Sequence, residues 1–113
     1  MKRLVALTLA VLMLVVVFAS CSATGNKIVM GTNAGFPPFE FKGEGTEVVG
    51  IDVEIAKEIA KDLGKTLEIS DMEFASVVPA VQSGKIDMGI AGMTVTEERK
   101  QQVDFSIPYY EAG

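Results

Sequence analysis

Arg99 is the residue of this chain best placed to recognise a small anion. It follows the segment Gly89-Ile90-Ala91-Gly92-Met93-Thr94-Val95-Thr96, which combines two glycines with two threonines, and it lies in Glu97-Glu98-Arg99-Lys100-Gln101-Gln102, whose composition predicts a short helix. Glycines let a ligand approach the backbone closely, and amides at a helix start attract anions. A guanidinium one turn into such a helix can offer two parallel hydrogen bonds to a carboxylate, a geometry that lysine cannot match. Each residue also has a plain structural reading. Arg99 could be a solvated arginine paired with Glu97, Glu98 or Asp104, Thr96 an N-cap, and Gly92 and Thr94 turn residues.

Catalysis has less to draw on. The chain has no histidine, and its carboxylates fall mostly on predicted helix faces or in turns, whereas an enzyme needs a positioned acid or base. Asp52 and Glu54 read as part of a helix start. The one cysteine, Cys21, can form neither an intramolecular disulfide nor a cysteine metal cluster. No catalytic residue, metal site or cofactor is expected.

The elements that must position Arg99 follow from the apolar pattern. Lys27 to Thr32 is a short run rich in β-branched residues, ended by Asn33, Gly35 and two prolines, so it reads as a buried strand. Phe39-Glu40-Phe41 alternates, and Gly43 to Gly45 make a turn. From Ile51 to Leu63, apolar Ile51, Ile55, Ile59 and Leu63 recur at every fourth position with Ala56 and Ala60 beside them, which predicts an amphipathic helix. Acidic Asp52 and Glu54 in its first turn and Lys61 in its last, before Gly64, agree with the macrodipole. Thr66 to Ser70 reads as a second strand, Ser76 to Ser83 as a second helix and Lys85 to Met88 as a third strand. This alternation implies an α/β unit with a mainly parallel sheet, whose ligands gather beyond the carboxyl ends of the strands. The loops Asn33 to Phe39 and Gly89 to Thr96 leave strands at that end.

The segment Gly50-Ile51-Asp52-Val53-Glu54-Ile55-Ala56-Lys57-Glu58-Ile59-Ala60 resembles the signature of the family 3 bacterial solute-binding proteins, which serve importers of polar amino acids. The blocks Gly31 to Phe41, Phe74 to Gly84 and Asp87 to Tyr110 are similar to that family in order and spacing. The resemblance implies a periplasmic-binding-protein-like fold of type II. It also implies that Arg99 grips a ligand's α-carboxylate with help from the amide and hydroxyl of Thr94, and that the Gly92 carbonyl takes the α-ammonium. Phe36 and Phe74 would sandwich the ligand's side chain and Asn33 would face it, although either aromatic could instead be a core residue. Asn33 stands where amino-acid binders often have aspartate, which weakens the case for a strongly cationic ligand.

Residues 1–20 carry Lys2 and Arg3, an apolar run from Leu4 to Phe18, then Ala19 and Ser20, which is the layout of an export signal. A membrane anchor is the rival, but the run is shorter than the roughly 20 residues a spanning helix needs. Phe18-Ala19-Ser20-Cys21 resembles a bacterial lipobox with Phe18 where leucine is usual, which implies lipid attachment at Cys21; an ordinary secretory signal leaving a free thiol is the alternative. Residues 21–27 would then be anchor and tether, 28–108 the first solute-binding lobe and 109–113 the start of a hinge. Without Lys2 and Arg3, eight of the ten basic residues remain against fifteen acidic ones, a net charge of −7. Such a balance argues against nucleic acid as a partner.

The family has two lobes, so the resemblance implies that the second lobe is absent here and that the chain is a fragment. A lone lobe is expected to bind weakly or undetectably, and submillimolar affinity would overturn that. The expected partners are an amino acid or related small polar solute, an ABC transporter permease, and the membrane through the lipid. Sensor modules, lytic transglycosylases and periplasmic dehydratases have related two-lobed domains and supply the alternative reading. A third is a lipoprotein that docks a permease and binds nothing.

Overall fold

The structure, a computed structural model, describes residues 25–112. The expected export signal and Cys21 lie outside the described residues. In chain order the elements are β1 (Lys27–Thr32), the short strands β2 (Phe41–Lys42) and β3 (Val48–Val49), α1 (Ile51–Asp62), β4 (Thr66–Asp71), α2 (Phe74–Gln82), β5 (Met88–Gly89) and α3 (Glu97–Lys100).

Strand β1 is central because both faces of its apolar run find a partner. It pairs in parallel with β4 from Lys27↔Thr66 to Thr32↔Asp71, and with β5 at Met30↔Met88 and Gly31↔Gly89, for a sheet order β4-β1-β5. Met30 packs with Val53 and Ala56 of α1 on one face, while Val29 packs with the α2 cluster of Val77, Ala80 and Ile86 on the other. That layering follows from the order. The chain crosses from β1 to β4, then back past β1 to β5, and right-handed crossovers in opposite directions place their helices on opposite faces. β2 and β3 form a separate antiparallel hairpin that leads into α1.

Three expectations are corrected. Helix α1 spans the expected residues, but its buried face consists of Asp52, Val53, Ala56 and Ala60. Ile51, Ile59 and Leu63 are exposed, Leu63 at 56%. Small residues let the helix axis approach the sheet over Met30, so the alanines face inward and the larger side chains are displaced to the flank. The third strand starts at Met88, not Lys85. The amides of Lys85 and Ile86 both donate to the Ala80 carbonyl, closing the end of α2, and only Asp87 onward reaches β1. The second helix begins two residues earlier than expected, at Phe74.

The start of α1 is fastened to the loop after β1. The amides of Ile51 and Asp52 donate to the carbonyls of Pro38 and Phe39, at 3.0 and 2.9 Å, which occupies two donors that a helix N-terminus leaves free. Gly50 precedes them at φ +128°, and a Cβ there would collide with the Phe39 carbonyl.

Candidate functional site

The two crossovers diverge from the β1–β5 junction, so the loops leaving β1 and β5 flank a topological switch point, where open α/β sheets form their ligand crevices. The first loop is held from several directions. Ala34 N–H donates to Asp71 Oδ1 at 2.9 Å and the Asn33 amide donates to the Met72 carbonyl at 2.9 Å. The Ala34 amide, with Lys42 in an ion pair at 2.8 Å, holds the Asp71 carboxyl below the usual aspartate range. Phe36 and Glu40 exchange backbone hydrogen bonds of 2.7 and 3.1 Å, which turns Phe36 outward to half exposure. Its ring stacks on Phe39 at 5.4 Å, and Phe39 meets Tyr110 edge-on at 5.1 Å.

The second loop places Arg99. Thr96 is the N-cap of α3 and accepts the Arg99 amide at 3.2 Å, while the Arg99 guanidinium turns back to donate to the Thr94 carbonyl at 2.7 Å. Its Cζ lies 5.3 Å from the centre of the Phe74 ring, a cation–π contact. Among the described residues Arg99 makes no ion pair; Glu97 is taken by Lys100 at 2.9 Å. Thr96 is the cap its plain reading described. Phe74, Met93, Glu98, Arg99 and Gln102 line a shallow groove of about 280 Å³. A larger groove of about 460 Å³, between Val95, Lys100, Phe105 and Pro108, contains none of the six residues singled out from sequence. The smaller one carries the unpaired guanidinium and is the better candidate for an anionic ligand.

Five of the six residues thus fall into two groups. Arg99 joins the first, touching both the Thr94 carbonyl and the Phe74 ring. Gly92 and Phe36 form the second group: Gly92 stands at φ +54°, and a Cβ there would lie 2.9 Å from Phe36 Cδ1, too close for any larger residue. Asn33 touches neither group through a hydrogen bond; its Nδ2 ties the end of β1 to the segment after β4, which leaves its carbonyl oxygen as the acceptor available to a solute.

Three residues of this neighbourhood were not singled out. Asp52, fully buried in α1, accepts the Gly92 amide at 2.6 Å through Oδ2 and the Tyr109 hydroxyl at 2.7 Å through Oδ1. Glu40 is 1% exposed, its Oε2 has no partner, and its carboxyl shares a hydrogen bond with that of Asp52. Burial first, then that hydrogen bond and the Asp52 charge, push the Glu40 carboxyl up to about 8. Burial and the bond to Asp52 likewise raise the Tyr109 hydroxyl above the usual tyrosine range. The available signal was that Asp52 shares the α1 face of Ala56 and Ala60 and so had to be buried with them. Among the described residues no group of three or more histidine, cysteine or acidic side chains gathers as a metal site.

An α/β lobe with the parallel sheet β4-β1-β5 is the architecture of the first lobe of periplasmic binding proteins of type II, and solved structures agree. The arginine-bound form of domain 1 from TmArgBP superimposes with a TM-score of 0.76 at 51% identity, over 78% of this chain and 70% of that one. An ancestral arginine-binding protein bound to glutamine gives a TM-score of 0.75 at 56% identity, over 80% of this chain and 40% of that one. In sequence, the chain is 51% identical over 87 residues to the arginine-binding extracellular protein ArtP of Bacillus subtilis, covering 77% of this chain and 34% of the relative. It is 34% identical to the glutamine-binding protein GlnH of the same organism, covering 100% of this chain and 50% of that protein. Residues 28–113 match the family of bacterial extracellular solute-binding proteins, family 3, and the chain belongs to that family. It spans between a third and a half of the length of these two curated relatives.

Proposed function

We propose that this chain is the first lobe of the substrate-binding component of an amino-acid ABC importer, exported and held outside the cytoplasmic membrane by a lipid on Cys21. Residues 1–20 are then its signal, 21–27 its tether and 109–113 the beginning of the crossing to a second lobe. The observation that carries the reading is the Arg99 guanidinium, fastened to the Thr94 carbonyl, laid on Phe74 and free of any carboxylate partner among the described residues. Its remaining donors suit a ligand's α-carboxylate, with the Thr94 amide and hydroxyl beside them and the Gly92 carbonyl for the ammonium. Phe36, Phe74 and Asn33 then border the ligand's side chain. The buried Glu40 and Asp52 are poor candidates for catalysis, because a general acid must touch its substrate.

Arginine and glutamine are the ligands to test first, since relatives are named for each and one ancestral protein is known with either bound. A neutral Asn33 suits an amide as well as a guanidinium. The arginine-bound domain 1 of TmArgBP supports binding by a lobe on its own, in line with weak rather than undetectable affinity. Calorimetric titration of the full chain with L-arginine, L-glutamine and agmatine, the decarboxylated analogue of arginine, tests the reading. An amino acid should bind, agmatine should not, and Arg99→Ala should weaken the amino acid by about 1.5–3 kcal/mol, as expected for hydrogen bonds to a charged group. Equal binding of arginine and agmatine would refute the carboxylate assignment.

A further inference from the structure

Asp52 divides its two oxygens between parts of the chain with different assigned roles. Oδ2 holds the amide of Gly92, whose carbonyl is assigned to the ligand's ammonium, and Oδ1 holds the hydroxyl of Tyr109, at the proposed start of the crossing. The pinned amide fixes the peptide plane that enters Gly92, and the φ of +54° sets the direction from which the chain reaches the Gly92 carbonyl. Glu40 lies against this carboxylate with Oε2 buried and unpartnered. Two carboxyls in hydrogen-bond contact hold one proton between them, and a second charge placed there is repelled by the first.

The groups that face Glu40 are Asp52 from α1 and Tyr109 from the C-terminal segment, while the loop 90–94 contributes no titratable side chain. None of these is a cation that could compensate a second negative charge.

We propose that Asp52 is a positioning residue for the ligand, holding Gly92 and Tyr109 in the binding geometry while Glu40 carries a proton and loosening them when Glu40 ionises. This rests on the receptor reading, since it assumes that the Gly92 carbonyl meets the ligand. The raised Glu40 carboxyl places the transition at about pH 8.

The test follows the Gly92 amide by NMR in the full chain from about pH 5 to about pH 9, with L-arginine and L-glutamine affinities measured calorimetrically over the same range. The Gly92 resonance should titrate in the unsubstituted chain, and ligand affinity should fall about tenfold as Glu40 ionises, the size expected from losing a hydrogen bond to a charged group. In Glu40→Gln neither should move, while ionisation of the ligand's own ammonium affects both proteins alike and cancels in the ratio. Tyr109→Phe removes only the hydroxyl that Asp52 accepts, from a residue that is otherwise half-exposed; it should lower ligand affinity and leave the Gly92 titration in place. A Gly92 resonance that stays still, or titrates unchanged in Glu40→Gln, overturns the proposal. A Glu40-dependent Gly92 titration in a chain that binds neither amino acid upholds the device and counts against the receptor reading, so the two failures are distinguishable.

Discussion

The guanidinium of Arg99 lies 5.3 Å over the ring of Phe74, although the two residues belong to helices on either side of β5. The contact holds a flexible cation in one place beside an open groove. On the proposed reading, a ligand carboxylate would meet a side chain whose freedom is already reduced, which lowers the entropy lost on binding.

Replacing Phe74 with leucine should weaken amino-acid binding while the melting temperature stays nearly unchanged, because the ring is more than a third exposed. The cation–π contact accounts for about 0.5–1 kcal/mol at such a site. Calorimetry and thermal unfolding of the same sample separate the effects. A drop in stability as large as the loss in affinity would make Phe74 a packing residue.

Stability should depend on pH through Glu40. Its carboxyl is raised from 4.5 in the unfolded chain to about 8 in the fold, so the native state binds the extra proton between those values. The contribution is complete below pH 4.5 and is lost as the pH rises through about 8. Urea midpoints should therefore fall across this window, and Glu40→Gln should flatten the slope. An identical profile in the variant would place the titration elsewhere. Asp71 acts in the opposite sense: its lowered carboxyl contributes stability above its unfolded value of 3.8 that is lost as the pH falls through the lower folded value.

Gly50→Ala should be strongly destabilising, by about 1–3 kcal/mol for the backbone alone. The φ of +128° disfavours a side chain, and the new methyl meets the Phe39 carbonyl that caps α1. Ala in place of Gly64, whose Cβ position is open at φ +64°, gives the comparison without a collision. Equal midpoints for the two variants in urea would show that the collision carries no weight.

Helix α1 offers a test of which face is buried. Ala56→Leu, on the face over Met30, should overpack the core and cost about 1–3 kcal/mol. Leu63→Ala, more than half exposed, should change stability by less than about 0.5 kcal/mol. The reverse ranking would restore the isoleucine stripe as the inward face.

The strands β1 and β4, the helices α1 and α2, the parallel alternation and the short helix of Arg99 were all legible in the sequence. Each depends on periodicity, capping and turn residues within a dozen positions, and the family motifs run along the same segments. The chain alone also marked Gly92, Thr94 and Arg99, because they stand together in one loop and helix start. The inward face of α1 was decided by tertiary packing: hydrophobicity favoured Ile51, Ile55, Ile59 and Leu63, but close approach to the sheet selected Ala56 and Ala60 and carried Asp52 inside with them. The third strand was shortened for a similar reason, since Lys85 and Ile86 spend their amides on the end of α2. Most of all, the Asp52 cluster joins residues 40 and 57 positions away, Gly92 and Tyr109, to a carboxylate that local sequence describes only as a helix-start charge. Its role depends on which backbone groups the fold brings within hydrogen-bond reach, and that is set by the crossing of β1, α1 and β5, not by any neighbour in the chain.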